Sequence, residues 1–198
     1  FISRFNLDGK YLLLAFIPLF VLFCNGLSTR ETKKLGEFSY IYTVIPYIVL
    51  PLTAVNFLVF KDSNFDALPL LMIFILIWAG DSGAYIFGMW LGQKYGPRLA
   101  PSISPKKSWI GVFGGAAMTL LVAFGLSITP WLEVQGVHLP WYHALGLGLV
   151  TFVADVIGDL IESQWKRYFQ VKDSGTGMPG HGGFLDRFDS SLVAIPMA

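Results

Sequence analysis

Apolar residues in this chain come in long runs. They show neither the alternation of a half-buried strand nor the one-sided stripe of a surface helix. Tyr11 to Leu27, Phe38 to Phe60, a stretch from near Ala67 to about Gly92, Trp109 to Thr129 and Trp141 to Glu162 each approach the roughly 20 residues that a helix needs to cross a hydrocarbon core. A sixth run begins near Phe188 and continues to the last residue. Period-two alternation is nowhere sustained, which argues against a β-barrel. Pro18, Pro46 and Pro51 fall inside these runs, where membrane helices tolerate proline if neighbours satisfy the freed carbonyl. The pattern predicts an all-α, polytopic integral membrane helical bundle with about six transmembrane segments. It reads as a single membrane domain over residues 1–198, with N-terminal helices in about 1–66 and a more polar region in about 67–198. A first residue Phe1 and an apolar final run, Leu192 to Ala198, read as cut ends of a longer membrane protein.

The polar segments between the runs give an independent check. Arg30, Lys33 and Lys34 lie in the first, Lys61 in the second, and Lys94, Arg98, Lys106 and Lys107 in the third. The fourth, Pro130 to Pro140, holds no Lys or Arg, and the fifth holds Lys166, Arg167, Lys172 and Arg187. The positive-inside rule then puts the first, third and fifth on the cytoplasmic side. Both long polar segments, 93–108 and 163–187, share that face. Gly88 with Gly92, and Gly111 with Gly115, have the small-xxx-small spacing of closely packed helices.

Composition agrees. The chain is 54% hydrophobic and 14% charged, against roughly 25% charged in a soluble domain. A net charge of +1 excludes nucleic-acid binding by bulk charge. The single cysteine, Cys24, excludes an intrachain disulfide and reads as a small buried hydrophobe.

With so little charge, its placement becomes informative. Asp155, Asp159 and Glu162 are spaced i, i+4 and i+7, on one face of the fifth helix. Acids inside an apolar span are functional candidates by default, and two or more converging near a helix end suit Mg²⁺. Glu162, at the end of the run, also fits a carboxylate that simply reaches headgroup water. The next segment, Ser163 to Asp189, mixes cations (Lys166, Arg167, Lys172), glycines (Gly175, Gly177, Gly180, Gly182, Gly183) and a carboxylate pair, Asp186 and Asp189. Glycines let backbone N–H groups turn toward an anion, and acids can hold a metal that bridges phosphate oxygens. There is no GxxxxGK[ST], so the pattern is not a P-loop. Asp81 and Ser82 lie inside the third span. Pro105 and Ser108 suit a helix start beside Lys106 and Lys107, where free N–H groups favour phosphate. His138 and His143 read as interfacial residues on the outer side, whereas His181 stands between glycines in the charged segment.

The Ser163–Asp189 segment resembles the signature of the membrane-bound phosphatidate cytidylyltransferase (CDP-diacylglycerol synthase) family. Ser163, Lys166, Arg167, Lys172, Asp173, Gly175, Pro179, His181, Gly182, Gly183, Asp186, Arg187 and Asp189 meet it. Trp165 and Met178 depart from it in size but remain apolar. Gly158-Asp159-Leu160, Asp81-Ser82-Gly83-Ala84-Tyr85 and Ser104-Pro105-Lys106-Lys107-Ser108 are similar to further motifs of the family. The likeness covers roughly residues 67–198.

The resemblance implies transfer of CMP from CTP to phosphatidic acid, giving CDP-diacylglycerol and pyrophosphate, in phospholipid biosynthesis. It implies Asp159 and Asp186 as first-choice metal ligands, with Asp155 and Asp189 completing a Mg²⁺ site or holding K⁺ as a second cation. Lys166, Arg167 and His181 would be catalytic. Asp81, Ser82, Lys106, Lys107, Ser108, Lys172 and Arg187 would bind substrate. The implied setting is a bacterial-type inner membrane with the site facing the cytoplasm, and the implied assembly is a homodimer. Two rivals remain: a cation-coupled transporter using Asp81 and Asp155, and a CTP-dependent polyprenol kinase.

Overall fold

A computed structural model describes residues 45–61, 64–134, 136–171, 174–175, 183 and 185–198. The expected first helix, Tyr11 to Leu27, lies outside the described residues. The chain divides into two compact units, Phe1–Pro69 and Leu70–Ala198.

In the first unit a wide π-helical turn, Ile45–Val49, leads into α1, Leu50–Val59. Pro51 occupies the first turn of α1, where its missing N–H has no intrahelical partner to lose. The helix then turns into a short antiparallel hairpin, β1 (Phe60–Lys61) with β2 (Asn64–Phe65). The Phe60 and Phe65 rings meet edge-on at 5.4 Å. The Asp66 side chain accepts the Leu68 N–H at 2.9 Å, which starts the next helix.

That helix, α2, runs Leu68–Phe87 and continues through a π-helical turn, Gly88–Gly92, into the short α3, Gln93–Tyr95. A hairpin of β3 (Arg98–Ala100) and β4 (Ser104–Ser108) follows. Next come α4 (Trp109–Ile128), α5 (Pro130–Val134), α6 (Trp141–Tyr168) and α7 (Leu185–Met197). Among the described residues, three helical stretches are long and apolar enough to cross a membrane: Leu68–Tyr95, Trp109–Ile128 and Trp141–Tyr168.

Two boundaries differ from the sequence expectation. The fifth span does not stop near Glu162 but continues to Tyr168. Lys166 and Arg167 therefore sit in its last turn, where cations complement the helix dipole. The segment 93–108 carries a hairpin that its sequence did not announce, because Pro105 and the adjacent lysines mask any alternation.

Small residues set the packing of α2 against α4. A Cβ on Gly83 would lie 2.7 Å from the Gly114 carbonyl oxygen, so the two backbones approach closely because neither position carries a side chain. Gly88 and Gly111 meet in the same way one turn further on, as their spacing predicts. Met72, Ile73, Leu76 and Ile77 of α2, Ala123 of α4, Phe152 and Ala154 of α6 and Leu192 and Ala194 of α7 are buried. Trp78, Phe113, Leu121 and Val153 are exposed, as apolar side chains facing lipid would be. On the other face of α6, Gly158 admits the backbone of α7: a Cβ there would come within 2.7 Å of the Asp189 carbonyl oxygen. This contact brings the start of α7 beside the acidic face of α6.

Candidate functional site between α2, α4 and α6

Ser108 ends β4 and caps α4. Its backbone is extended (φ −123°, ψ 154°), and its hydroxyl accepts the Gly111 N–H at 3.2 Å. The Trp109 N–H is taken by the Pro97 carbonyl at 3.1 Å. The hairpin is thereby fixed to the helix start, with Lys106 and Lys107 on the strand leading into it. The expected helix start is present one residue after Ser108, but Pro105 lies in β4 rather than in the first turn of the helix.

Beside this cap lies a cavity of about 400 Å³. Asp81 and Tyr85 of α2, Lys106, Lys107 and Ser108, and Asp155 and Asp159 of α6 line it, together with Gly88, Met89 and Gln93. Asp155 and Asp159 share one helical face, and Asp81 reaches the same space from α2. Lys107 forms an ion pair with Asp159, and the Ser163 hydroxyl donates to Asp159 Oδ1 at 3.1 Å. Asp155 is 4% exposed, and its Oδ1 has no hydrogen-bond partner. A buried carboxylate oxygen left unmatched beside a cavity needs an explanation, and an unseen ion is one. Ser82 is exposed and does not line the cavity. One residue on from Asp81, it is rotated about 100° around the helix.

A second cluster forms where α6 ends. Glu162, 1% exposed, pairs with Lys166 one turn on. Lys166 Nζ also donates to Asp186 Oδ1 at 2.9 Å. Asp186 Oδ2 accepts three more donors: the Ser174 N–H and hydroxyl, both at 2.8 Å, and the Gly183 N–H at 2.7 Å. Burial opposes ionisation of Asp186, but Lys166 and these Gly183 and Ser174 donors outweigh it. They hold its carboxyl well below the ordinary range. Asp186 thus clips residues 174 and 183 to the end of α6. Arg167 donates from Nε to the Ile103 carbonyl at 3.1 Å, which ties the same helix end to the β3–β4 turn. Asp189 accepts the Ser190 N–H at 2.7 Å beside Gly158.

Of the residues singled out by sequence, Asp81, Lys106, Lys107, Ser108, Asp155 and Asp159 are gathered around one cavity. Lys166 and Asp186 are gathered in the clip. Asp189 and Arg187 lie on α7 and do not line the cavity. Lys172 and His181 lie outside the described residues. Tyr85, one turn after Asp81, could have been found from that i+4 spacing. Glu162, one of the three acids read on one helix face, is buried, which excludes the alternative of a carboxylate reaching headgroup water. Ser174 was missed because a lone serine in a polar segment carries no signal.

No three acidic, His or Cys side chains among the described residues stand close enough to hold a metal by themselves. Mg²⁺ does not require three. It commonly takes one or two carboxylates, several waters and substrate phosphates. Asp155, with its unmatched oxygen, and Asp159 on the same wall fit that demand.

A family model described as "Cytidylyltransferase family" matches residues 6–198. Among curated relatives, a protein of Staphylococcus epidermidis named phosphatidate cytidylyltransferase is 35% identical over 163 residues, covering 82% of this chain and 60% of the relative. A Staphylococcus aureus protein of the same name is 34% identical over the same coverage. One from Haemophilus influenzae is 39% identical over 162 residues, covering 78% of this chain and 52% of the relative. The chain therefore spans about half to three fifths of the length of these relatives.

Proposed function

The chain belongs to the cytidylyltransferase family, and from that premise we propose that the protein makes CDP-diacylglycerol from CTP and phosphatidic acid. The observation that carries this reading is the cavity where three acids of the α2 and α6 spans meet two lysines and the capped start of a third membrane-long helix. Soluble triphosphate and a membrane-held phosphate both need such a boundary.

In the reaction a phosphate oxygen of phosphatidate attacks the α-phosphorus of CTP. The bond from that phosphorus to the β-phosphate oxygen breaks, and pyrophosphate leaves. The attacking phosphate is already anionic near neutral pH, so no strong base is needed. The difficulty is to hold several negative charges together in line. Lys106 and Lys107 supply positive charge at the cavity wall, beside the capped start of α4. Lys166 and Arg167 would grip the leaving pyrophosphate or the triphosphate, with Lys172, His181 and Arg187 in the same motif. Asp81 orients a ligand from the α2 wall. Asp155 and Asp159 would hold Mg²⁺, which when bound neutralises phosphate charge. The K⁺ implied by the resemblance falls to Asp189. Asp186, its oxygens taken by four donors, acts through Lys166.

We place the site on the cytoplasmic face of an inner membrane, from the distribution of Lys and Arg. The further transmembrane segments, to about six, and a homodimer belong to the same reading. The test is the full-length protein in phosphatidate-containing nanodiscs with CTP. CDP-diacylglycerol and pyrophosphate should appear in equal amounts, stop on addition of EDTA and resume with Mg²⁺. Activity indifferent to chelation would remove Asp155 and Asp159 as metal ligands.

A further inference from the structure

Glu162 is the most deeply buried ionisable side chain among the described residues, and the proposed reaction gives it no task. Its position in the fold supplies one. A carboxylate 1% exposed within a membrane-long helix is costly unless a cation answers it. The cation is Lys166, one turn toward the helix C-terminus, which is the favourable order for a Glu–Lys pair. Lys166 is in turn held from a different element by Asp186. A lysine on a four-carbon stem is free to swing. Anions on two sides, one from its own helix and one from α7, fix its ammonium in one place. Lys166 has three N–H donors. Asp186 takes one and Glu162 faces the ammonium as an ion pair, so Lys166 keeps donor capacity for a phosphate oxygen.

We infer that Glu162 is a positioning residue that fixes the Lys166 ammonium for the phosphates of the nucleotide. This rests on the reading of Lys166 as a phosphate-binding group, and it does not require any step of the reaction. Glu162 touches no substrate in this role. It acts through Lys166 alone, and that distinguishes it from a residue that merely packs.

The experiment is a double-substitution cycle in the full-length protein, with Glu162→Gln, Lys166→Met and both together. CTP affinity is measured by titration calorimetry, and turnover is measured with CTP and phosphatidate. Glu162→Gln should weaken CTP binding or kcat/KM for CTP about 10- to 100-fold, the range typical when a partner that orients a ligand-binding group is lost. The KM for phosphatidate should stay within about threefold, because the positioned ammonium serves the nucleotide. In the Lys166→Met background the same change should cost less than about twofold further, because the group it positions is gone. Glu162→Asp, which keeps the charge on a shorter arm, should recover part of the loss. Multiplying effects, or a Glu162→Gln protein within about twofold of the unsubstituted one, would overturn the inference. So would loss of folded protein in both the Gln and Asp variants, which assigns Glu162 to folding. CTP binding that follows the cycle in a protein that makes no CDP-diacylglycerol would uphold the inference and sink the proposed reaction instead.

Discussion

Asp155 and Glu162 stand seven residues apart on one face of α6, both almost fully buried, in opposite surroundings. Asp155 lines a cavity with one carboxylate oxygen unmatched. Glu162 is answered by Lys166, and the cluster around it continues through Asp186 to Ser174 and Gly183. One acid leaves a valence open toward space that a ligand can fill. The other, whose two oxygens also lack a hydrogen-bond partner, faces the Lys166 ammonium as an ion pair in a network that joins three parts of the chain. Two buried carboxylates on the same helix are thus assigned different work by what stands opposite them, and burial alone would not have separated them.

The sharpest way to break this contrast is through the cavity. Asp159→Asn should lower CDP-diacylglycerol formation by roughly 100- to 1,000-fold, the cost of losing an electrostatic anchor of the reacting phosphates. Its folded protein should remain. Near-normal turnover would remove Asp159 from the site.

The next effect compares the two acids directly in thermal or denaturant unfolding. Glu162→Ala leaves Lys166 short of a buried partner and should cost about 3 kcal/mol of stability. Asp155→Asn removes an unmatched charge and should leave stability unchanged or raise it, while lowering activity. Equal losses of stability would erase the distinction between a cavity-lining acid and an ion-paired one.

Smaller effects test the frame that holds both clusters. Gly83→Leu would force α2 away from the Gly114 backbone and should destabilise by about 1–3 kcal/mol, the usual cost of overpacking. Ser108→Ala removes the cap of α4 and should cost about 1 kcal/mol. Because the cap also orders the cavity wall at Lys107, the KM for CTP should rise with it. An Ser108→Ala protein that loses stability with an unchanged KM would separate the cap from the site.

Much of this was legible in the sequence because a membrane imposes simple rules. Long apolar runs announced α2, α4 and α6, and the glycine spacing announced the close approach of α2 and α4. Asp155 and Asp159 could be placed on one face from their i, i+4 spacing, and an aspartate inside an apolar run could be assigned to a polar interior. What did not show was anything that depends on where α6 ends or on a partner that no local pattern marks. The burial of Glu162 requires Lys166 to be on the helix, and α6 ran past the point where its apolar run ended. The role of Asp186 depends on Ser174 and Gly183, which no local pattern links to it. The expectation that pairs Asp159 with Asp186 at one metal drew on motif likeness. The geometry sets Asp159 on the cavity wall and Asp186 in the clip.

The central claim is that the cavity moves a cytidylyl group onto a lipid phosphate. CTP labelled at the α-phosphorus and, separately, at the γ-phosphorus tests it most directly, with the full-length protein in nanodiscs that carry phosphatidate or a polyprenol. The account predicts α-label in the phosphatidate-derived lipid, with the γ-label released in pyrophosphate. Transfer of the γ-label to the polyprenol, or no labelled lipid from phosphatidate, would contradict it.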